Sequence, residues 1–202
     1  MPLWAARKPL ILASKSEGRR KILGAAGVPV EIRPAPIDER AVEARSHVRG
    51  AEEVARVLAG AKAHTVAAEM PGRVVLGADQ TLTLDGKRFS KPNGRAEASG
   101  QLRALRGRTH QLHSALCLVR DGEVLFEVSD SAALTMRAFS DRFIESYLDT
   151  AGAGAYASVG GYQIETVGVH LFERIAGDYF TILGLPLLPL LGYLRKSGMV
   201  AD

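Results

Sequence analysis

The stretch Leu10-Ile11-Leu12-Ala13-Ser14-Lys15-Ser16-Glu17 decides how the chain begins to fold. Its first four residues are apolar, and a short apolar run of this kind predicts a buried strand. Its second half is polar and contains the Ser-x-x-Glu pattern of a capping box, which predicts a helix that begins here and continues through Leu23. A strand, a polar turn and a helix start are therefore expected in direct succession.

Further elements are predicted along the rest of the chain. Apolar runs indicate strands at 28–32 and at 74–78, the second ending at Asp79 and resuming over 81–84. Helical periodicity indicates a helix over 51–67, with Lys62 at the border of its buried face. The residues predicted to form that face are Val54, Val57, Leu58, Ala61 and Thr65. The remaining predictions are helices at 95–106, after Ser140 and at 185–195, a hairpin of strands 111–119 and 124–136, a proline loop carrying 37–39, a mobile glycine-rich loop at 151–155 and short strands within 157–175.

The composition narrows the classes of function. With 202 residues, 47% hydrophobic and 24% charged, the chain is expected to form a single domain over residues 1–202, with one or two lobes. The net charge is only +4 and aromatic residues make up 6%. Because no dense Lys/Arg run with interleaved aromatics is present, we expect no nucleic-acid partner and interpret the basic excess as a solvated surface.

Cysteine content and hydropathy bear on the compartment. Cys117 is the only cysteine, which excludes an internal disulfide and a multi-cysteine zinc site, and its apolar surroundings predict a core residue. The apolar stretch after Pro9 is too short for a signal peptide, and the run from Ile182 to Leu194 is shorter than a membrane span and contains prolines. We therefore expect a soluble cytoplasmic protein with no membrane partner.

Two interpretations of the first turn are open. Ser14, Ser16 and Arg19 cluster at a helix N-terminus, where unsatisfied backbone N–H groups and the positive end of the helix dipole attract phosphate oxygens. Alternatively, Ser14 and Glu17 only cap the helix and the arginines are solvated. The turn lacks the Gly-x-x-x-x-Gly-Lys-Ser/Thr pattern and is therefore not a P-loop.

Asp79 is the strongest catalytic candidate by its surroundings. A carboxylate at the end of an apolar strand is costly to bury unless it is paired, hydrogen-bonded or bound to a metal. Together with Glu39 it could hold a divalent cation, since Mg²⁺ takes one or two carboxylates plus water and substrate phosphates. Lys62 and Lys91 would then face a triphosphate. The alternatives are a structural Asp79 bonded to neighbouring amides and lysines that are only solvated.

Six segments together resemble the Maf family of nucleotide pyrophosphatases, in order and over nearly the whole chain. The Leu-Ala-Ser-x-Ser stretch followed by Arg19 is similar to that family's opening motif, and Gly77-Ala78-Asp79 to its strand with a catalytic Asp. The other four matching segments are Ile37-Asp38-Glu39, Leu58-Ala59 with Lys62-Ala63, Lys91-Pro92, and Ile175-Ala176-Gly177-Asp178-Tyr179 with Gly184-Leu185-Pro186.

The resemblance implies a fold and a reaction. It implies a two-lobed α/β structure around a mixed twisted sheet flanked by helices, similar to inosine triphosphatases, with the nucleotide in a cleft between lobes. It implies hydrolysis of nucleoside triphosphates to a monophosphate and pyrophosphate, with Mg²⁺ or Mn²⁺ as the divalent metal cofactor. Asp79 would be the general base or metal-organising carboxylate, Glu39 a further metal or water contact, and the phosphate contacts would be Ser14, Ser16, Arg19, Lys62 and Lys91.

The resemblance also bears on the base and on the physiological role. Glu17 stands where the family has Pro, and Gly18 stands where it has Arg or an aromatic residue that helps to select the base. The combination of Gln80 and Glu165 resembles that of the subgroup that acts on 7-methyl-GTP and on pyrimidine triphosphates such as CTP and UTP. The alternative for Glu165 is a solvated or ion-paired residue. A nucleotide-sensing regulator of cell division with little turnover is the alternative function, and a homodimer is a possible assembly.

Overall fold

Residues 3–201 are described by the computed structural model. They form a seven-stranded mixed sheet flanked by helices, with the strand order β2-β1-β3-β5-β6-β7 and with β4 paired to β3. The strands are β1 (Leu10–Leu12), β2 (Val30–Ile32), β3 (Val75–Leu84), β4 (Lys87–Phe89), β5 (Thr109–Arg120), β6 (Glu123–Met136) and β7 (Phe172–Ala176). Strand β1 pairs in parallel with β2 and β3, whereas β4 and β7 pair antiparallel with their neighbours. The predicted α/β class with a mixed sheet is confirmed.

Eight α-helices are present in the described part of the chain. They are α1 (Glu17–Ala25), α2 (Glu39–Ser46), α3 (Ala51–Glu69), α4 (Arg95–Leu105), α5 (Asp141–Ala151), α6 (Gly154–Ala157), α7 (Tyr179–Ile182) and α8 (Leu187–Lys196). No helix within residues 3–201 is long and apolar enough to cross a membrane.

The chain divides into two compact units. Unit 1 comprises Met1–Gln80, Ser114–Asp130 and Gly184–Asp202, and unit 2 comprises Thr81–His113 and Ser131–Leu183. In unit 1, the alanine-rich face of α3 packs in a core with β1, β3 and β5, and the buried members of that core include Ala59, Ala63 and Cys117. The expected core position of Cys117 is confirmed, because its residue surface is only 2% exposed and burial raises the pKa of its thiol to about 11.

The approach of α3 to β3 depends on a glycine. A Cβ added at Gly77 would lie 2.1 Å from the carbonyl oxygen of Ala59 and 2.7 Å from the backbone nitrogen of Ala63. Real Cβ atoms do not make such contacts, so a larger residue would push the helix away from the strand. Gly77 therefore lets α3 lie directly on β3, two residues before Asp79.

Unit 2 has its own core, in which α4 and α5 pack with the ends of β3, β5 and β6. Its buried members include Leu102, Leu134, Ile144 and Tyr162. The Asp121-Gly122 turn that joins β5 and β6 lies in unit 1 and has positive φ values of 51° and 82°, as expected for a tight hairpin. The predicted hairpin is confirmed, as are the helix after Ser140, whose hydroxyl caps α5, and the helix that begins at Arg95.

Five local predictions are wrong. Ser16, rather than Ser14, caps α1, because its hydroxyl accepts from the Arg19 N–H, and the helix ends at Ala25. Glu39 does not lie in a loop: Asp38 caps a helix that begins at Glu39. The glycine-rich stretch is not only a loop, since α6 forms there with Ala155 buried. Residues 157–175 form two 3₁₀ turns before their single strand, β7.

The fifth correction concerns the buried face of α3. The sequence places Val57 and Ala61 in its stripe, but both are only partly buried, whereas Ala55, Ala59 and Ala63 are buried. Alanine is a weak hydrophobic signal, so the bulkier side chains misplace the stripe by one position. Lys62 consequently lies within the buried face instead of at its border.

Candidate functional site

The turn between β1 and α1 presents two serine hydroxyls beside a helix N-terminus. Ser14 is buried, with 8% of its surface exposed, and its Oγ accepts hydrogen bonds from the Ser16 backbone N–H at 3.2 Å and from Arg19 Nη1 at 3.1 Å. A hydroxyl oxygen that accepts two hydrogen bonds still has its own proton to donate. Ser14 is therefore arranged as a donor to an anion at the first turn of α1.

Arg19 is buried and holds three parts of unit 1 together. Its Nε donates to the Gly184 carbonyl at 2.8 Å, and its Nη1 donates to Ser14 and to the Ala78 carbonyl at 2.9 Å. Burial lowers the pKa of Arg19, and the Asp79 and Glu39 carboxylates partly offset that effect. Within residues 3–201, Nη2 is the one guanidinium nitrogen of Arg19 with no hydrogen bond, and its two N–H groups are still available to an anion.

Lys62 connects the two acidic residues singled out from the sequence. Its Nζ lies 2.6 Å from Asp79 Oδ1 and 2.7 Å from Glu39 Oε1. The Lys62 and Asp79 side chains are 11% and 12% exposed, whereas that of Glu39 is 55% exposed. Because α3 lies close to β3 at Gly77, the ammonium group reaches the strand from the side and bridges a buried and an exposed carboxylate.

The ionisation of Asp79 is set by opposing effects. Burial raises the pKa of Asp79 above its ordinary value, while the Lys62 ammonium and the Arg19 guanidinium lower it in part. Desolvation disfavours a charged carboxylate and nearby cations favour it. A carboxylate with a raised pKa accepts a proton more readily than a solvated one, which is the property that a general base in this position needs.

Gln80, the next residue on β3, is held by its neighbours in unit 1. Its Nε2 donates to Ser114 Oγ at 3.0 Å. A Cβ added at Gly184 would lie 3.5 Å from Gln80 Oε1 and 3.6 Å from Arg19 Nη2. These are ordinary van der Waals distances, so glycine is favoured at 184 by its φ of +94° and not by a lack of space. Sequence reasoning includes Gly184 only as part of a matching segment and misses that its carbonyl accepts from Arg19.

The remaining predicted residues are more exposed. Gly18 is partly buried in the first turn of α1, Lys91 lies in the exposed loop after β4, and Glu165 lies in an exposed turn of unit 2. Unit 1 thus brings together one set of predicted site residues: Ser14, Ser16, Gly18, Arg19, Glu39, Lys62, Asp79 and Gln80. Lys91 and Glu165 belong to unit 2.

Two carboxylates, Asp79 and Glu39, converge on the Lys62 ammonium, so a divalent cation would have to bind at their other oxygens. Asp79 and Glu39 each use one oxygen for Lys62 and, in the part of the chain described, have no hydrogen bond at the other. No group of three or more His, Cys, Asp or Glu residues in residues 3–201 forms a metal-binding cluster. A magnesium ion needs no such cluster, because one or two carboxylates can hold it while substrate phosphates and water complete its octahedral shell, and the unbonded oxygens of Asp79 and Glu39 are donors of that kind.

Comparison with known proteins places this chain in a family. The sequence pattern of the family described as Maf-like protein matches residues 9–197. The chain belongs to the Maf family. The resemblance predicted from the sequence is therefore confirmed, and the match covers Ser14, Arg19, Lys62, Asp79 and the closing Gly-Leu-Pro segment of this Maf protein.

Individual relatives are similar to this Maf protein over their whole length. A protein of Nitrobacter winogradskyi named nucleoside triphosphate pyrophosphatase is 55% identical over 201 residues, which cover 100% of both chains. A protein of Rhizobium etli named 7-methyl-GTP pyrophosphatase is 53% identical over 193 residues, covering 95% of this chain and 97% of its own. A solved structure of a HAM1 protein from Coxiella burnetii has a TM-score of 0.41 and 16% identity, covering 63% of this chain and 72% of that one.

Proposed function

We propose that this Maf protein hydrolyses nucleoside triphosphates to a nucleoside monophosphate and pyrophosphate. The names of relatives that share about half of its sequence over the full length support this reaction. The observation that carries the proposal is the buried Lys62 ammonium, 2.6 Å from Asp79 and 2.7 Å from Glu39, in the unit that also contains the serine-rich turn at the N-terminus of α1. Such a site has a base, a cation and anion-binding donors.

Asp79 is the proposed general base. A water molecule that attacks the α-phosphorus must lose a proton as the new P–O bond forms, and pyrophosphate leaves as the bond to the bridging oxygen breaks. The raised pKa of Asp79 suits it to accept that proton. Lys62 holds the carboxylate through Oδ1, which leaves the other oxygen to accept the proton. Its positive charge also keeps Asp79 from being protonated in advance, because that charge favours the carboxylate form.

The turn before α1 is the proposed phosphate site. Ser14 donates its hydroxyl proton, and the first N–H groups of the helix add a positive field that offsets charge on phosphate oxygens. Arg19 is proposed to contact phosphate, as the resemblance implies, and also to fix the turn. Its three hydrogen bonds to Gly184, Ser14 and Ala78 support a role in fixing the turn, with Nη2 left to reach a ligand. Lys91 stays a proposed contact to the phosphate tail.

A divalent cation belongs to this proposal. Asp79 and Glu39 are the residues that would hold it, through the carboxylate oxygens that are not bonded to Lys62. When bound, Mg²⁺ or Mn²⁺ would neutralise charge on the phosphate oxygens and hold them for attack.

Base recognition is proposed to depend on Glu165. A carboxylate accepts hydrogen bonds from the amino and ring N–H groups of guanine or from the amino group of cytosine. Glu165 is exposed and therefore accessible, whereas the Gln80 amide is already bonded to Ser114 and has less capacity for a base. Gly18 has no aromatic face to stack on a methylated guanine. The relative named for 7-methyl-GTP supports assignment to that subgroup, with CTP and UTP as further substrates.

We also propose a cellular compartment, a set of partners and an assembly for this protein. The chain would act as one domain in the cytoplasm, on a small nucleotide and without a nucleic-acid or membrane partner. A homodimer is the assembly that sedimentation at several protein concentrations would test. The basic surface and the buried Cys117 are compatible with that setting.

The proposed reaction is tested by release of pyrophosphate from a panel of triphosphates. The panel contains GTP, 7-methyl-GTP, CTP, UTP and dTTP, each with Mg²⁺, with Mn²⁺ and with a chelator. We expect pyrophosphate from at least one amino-bearing base, dependence on the cation, and no release by Asp79→Asn. Binding of the panel without any turnover by the wild type would contradict the proposal and favour the regulator alternative.

A further inference from the structure

A buried histidine in unit 2 has no part in the proposed chemistry. His110, on β5, is 1% exposed, and its Nε2 lies 2.7 Å from the hydroxyl of Tyr162. Its other ring nitrogen, Nδ1, is buried without a hydrogen-bond partner in the described residues. Burial lowers the pKa of His110 to about 4, so the ring is neutral at physiological pH. A polar ring in an apolar core is costly unless it is hydrogen-bonded.

Tyr162 is the partner that offsets part of this cost. It is 4% exposed, and its ring packs against the rings of His110 and Phe172, with centroids 5.7 Å and 4.9 Å away. A buried tyrosine hydroxyl also needs a hydrogen-bond partner, and the Nε2 atom of His110 is its partner. These two polar atoms therefore satisfy each other inside an aromatic cluster.

Tyr162 follows two glycines that give the backbone unusual freedom. Gly160 and Gly161 have φ values of 81° and 77°, in the region that favours glycine. Each is fixed by one polar side chain, since the Gly160 N–H donates to Gln101 at 3.0 Å and the Gly161 carbonyl accepts from the Tyr147 hydroxyl at 3.0 Å. Beyond these two glycines, the side chain of Tyr162 is the next contact that fixes the direction of the backbone.

Residues 162–166 form what we call the Glu165 turn. The carbonyl of Gln163 accepts from the backbone N–H of Thr166 at 3.2 Å and from its hydroxyl at 2.9 Å, which closes the turn. Ile164 is buried and Glu165 is exposed, so the turn presents one carboxylate to solvent. The turn begins at the buried Tyr162 and ends at the bonded Thr166.

We infer that His110 is a positioning residue for the Glu165 turn: its hydrogen bond to Tyr162 fixes the start of the turn and with it the direction in which Glu165 is presented. This inference rests on the proposed function, in which Glu165 contacts the base. An apolar replacement such as His110→Phe would fill the core but would leave the Tyr162 hydroxyl unpaired. Tyr162 would then be held by packing alone, so the turn that follows it would be less firmly fixed and the hydrogen bond of Glu165 to an amino-bearing base would weaken.

The inference is tested with two variants that remove the bond and one that restores it. Tyr162→Phe and His110→Phe keep an aromatic ring without the hydrogen bond, whereas His110→Gln places an amide near the position of Nε2. Leu112→Val, two residues along β5, is the control, because Leu112 is buried and this change removes packing without removing a hydrogen bond. The readouts are the ratio of kcat/KM for CTP to that for UTP and the hydrogen exchange of residues 162–166.

We expect the two phenylalanine variants to lower the CTP/UTP ratio about tenfold, the discrimination that one hydrogen bond supplies, and to speed amide exchange in the turn. His110→Gln should restore both readouts in part. The double variant His110→Phe with Tyr162→Phe should lower the CTP/UTP ratio no more than either single phenylalanine variant does. An unchanged ratio with unchanged exchange in Tyr162→Phe would overturn the inference, and so would an equal change in Leu112→Val. If the wild type hydrolyses no triphosphate, the proposed function fails, and the exchange measurement still decides whether His110 holds the turn.

Discussion

Each unit has a cluster of buried polar side chains, and the two clusters are held together by opposite kinds of interaction. In unit 1, Lys62 and Asp79 are held as an ion pair, and a second carboxylate from Glu39 joins them. In unit 2, His110 and Tyr162 are neutral and share one hydrogen bond. The ion pair in unit 1 keeps charged groups buried, although their loss of solvation is unfavourable, whereas the pair in unit 2 contains no charged group.

The difference agrees with the role proposed for each cluster. Burying an ion pair rarely stabilises a protein more than a well-packed apolar pair would, so the Lys62 cluster is better explained by chemistry than by folding. A neutral hydrogen-bonded pair fixes geometry without placing charge in the core. We therefore expect substitutions in unit 1 to remove turnover and those in the His110 pair to change pH-dependent stability and selectivity.

The largest effect is expected from Asp79→Asn. The amide keeps the shape of the carboxylate but cannot accept a proton or bind a cation with its charge, so turnover should fall by about a thousandfold or more. Far-ultraviolet circular dichroism should be unchanged. The matched control is Asp149→Asn, an exposed carboxylate on α5, which should keep wild-type activity. A folded Asp79→Asn protein with near wild-type kcat would remove Asp79 from the mechanism.

Lys62→Met should come next, with a decrease of about a hundredfold in kcat/KM. The Lys62 charge lowers the pKa of Asp79, so its removal raises that pKa further. Since Asp79 acts as the carboxylate, activity disappears as pH falls through its pKa, and the acid limb of the pH profile should move to higher pH. The profile of kcat/KM against pH checks this shift. An acid limb that stays in place would mean that Lys62 does not tune Asp79.

His110 should give unit 2 a pH-dependent stability. Its pKa is about 4 in the folded protein, compared with an ordinary value of 6.5. The unfolded chain therefore takes up a proton on His110 more readily than the folded protein does. The free energy of unfolding is highest above pH 6.5 and decreases as the pH falls from 6.5 towards 4. The decrease is at most about 3 kcal/mol in free energy of unfolding.

Urea unfolding at several pH values between about 7 and 4 measures that contribution. His110→Phe should flatten the slope of unfolding free energy against pH in this window, and His64→Gln, an exposed histidine on α3, should keep it. A wild-type slope in His110→Phe would show that the proton uptake comes from other groups.

The smallest effect is expected from Glu165→Gln. A carboxylate that accepts a hydrogen bond from an amino-bearing base supplies about tenfold in discrimination, so kcat/KM for CTP and 7-methyl-GTP should fall relative to UTP and dTTP. Gln80→Thr should change the ratios less, because the Gln80 amide is bonded to Ser114. Relative activities that do not move in Glu165→Gln would mean that Glu165 does not read the base.

The sequence predicts the residues of the unit 1 site better than their contacts. Asp79 and Lys62 stand out from the strand pattern and from the family resemblance, and both lie in one cluster. Their ion pair depends on Gly77, where the absence of a side chain lets α3 approach β3, and no local pattern reports that distance. Periodicity puts Lys62 at the border of α3 because alanines mark a buried face weakly.

Arg19 and His110 make contacts that the sequence around them does not predict. The resemblance implies that Arg19 contacts phosphate, and no local pattern reports that its Nε also donates to the carbonyl of Gly184, which is far along the chain. His110 gives no signal in the sequence, because one histidine in an alternating strand looks like any other. Tyr162, the residue that gives it a role, lies in a segment for which the sequence pattern predicts short strands instead of turns.

Attack of water on the α-phosphorus, with pyrophosphate as the leaving group, is tested most directly by hydrolysis in water enriched in heavy oxygen. The best triphosphate is the substrate, and the products are separated and analysed by phosphorus NMR and mass spectrometry. We predict equal amounts of monophosphate and pyrophosphate, with the heavy oxygen in the monophosphate. Diphosphate with orthophosphate, or heavy oxygen in the pyrophosphate, would contradict this reaction.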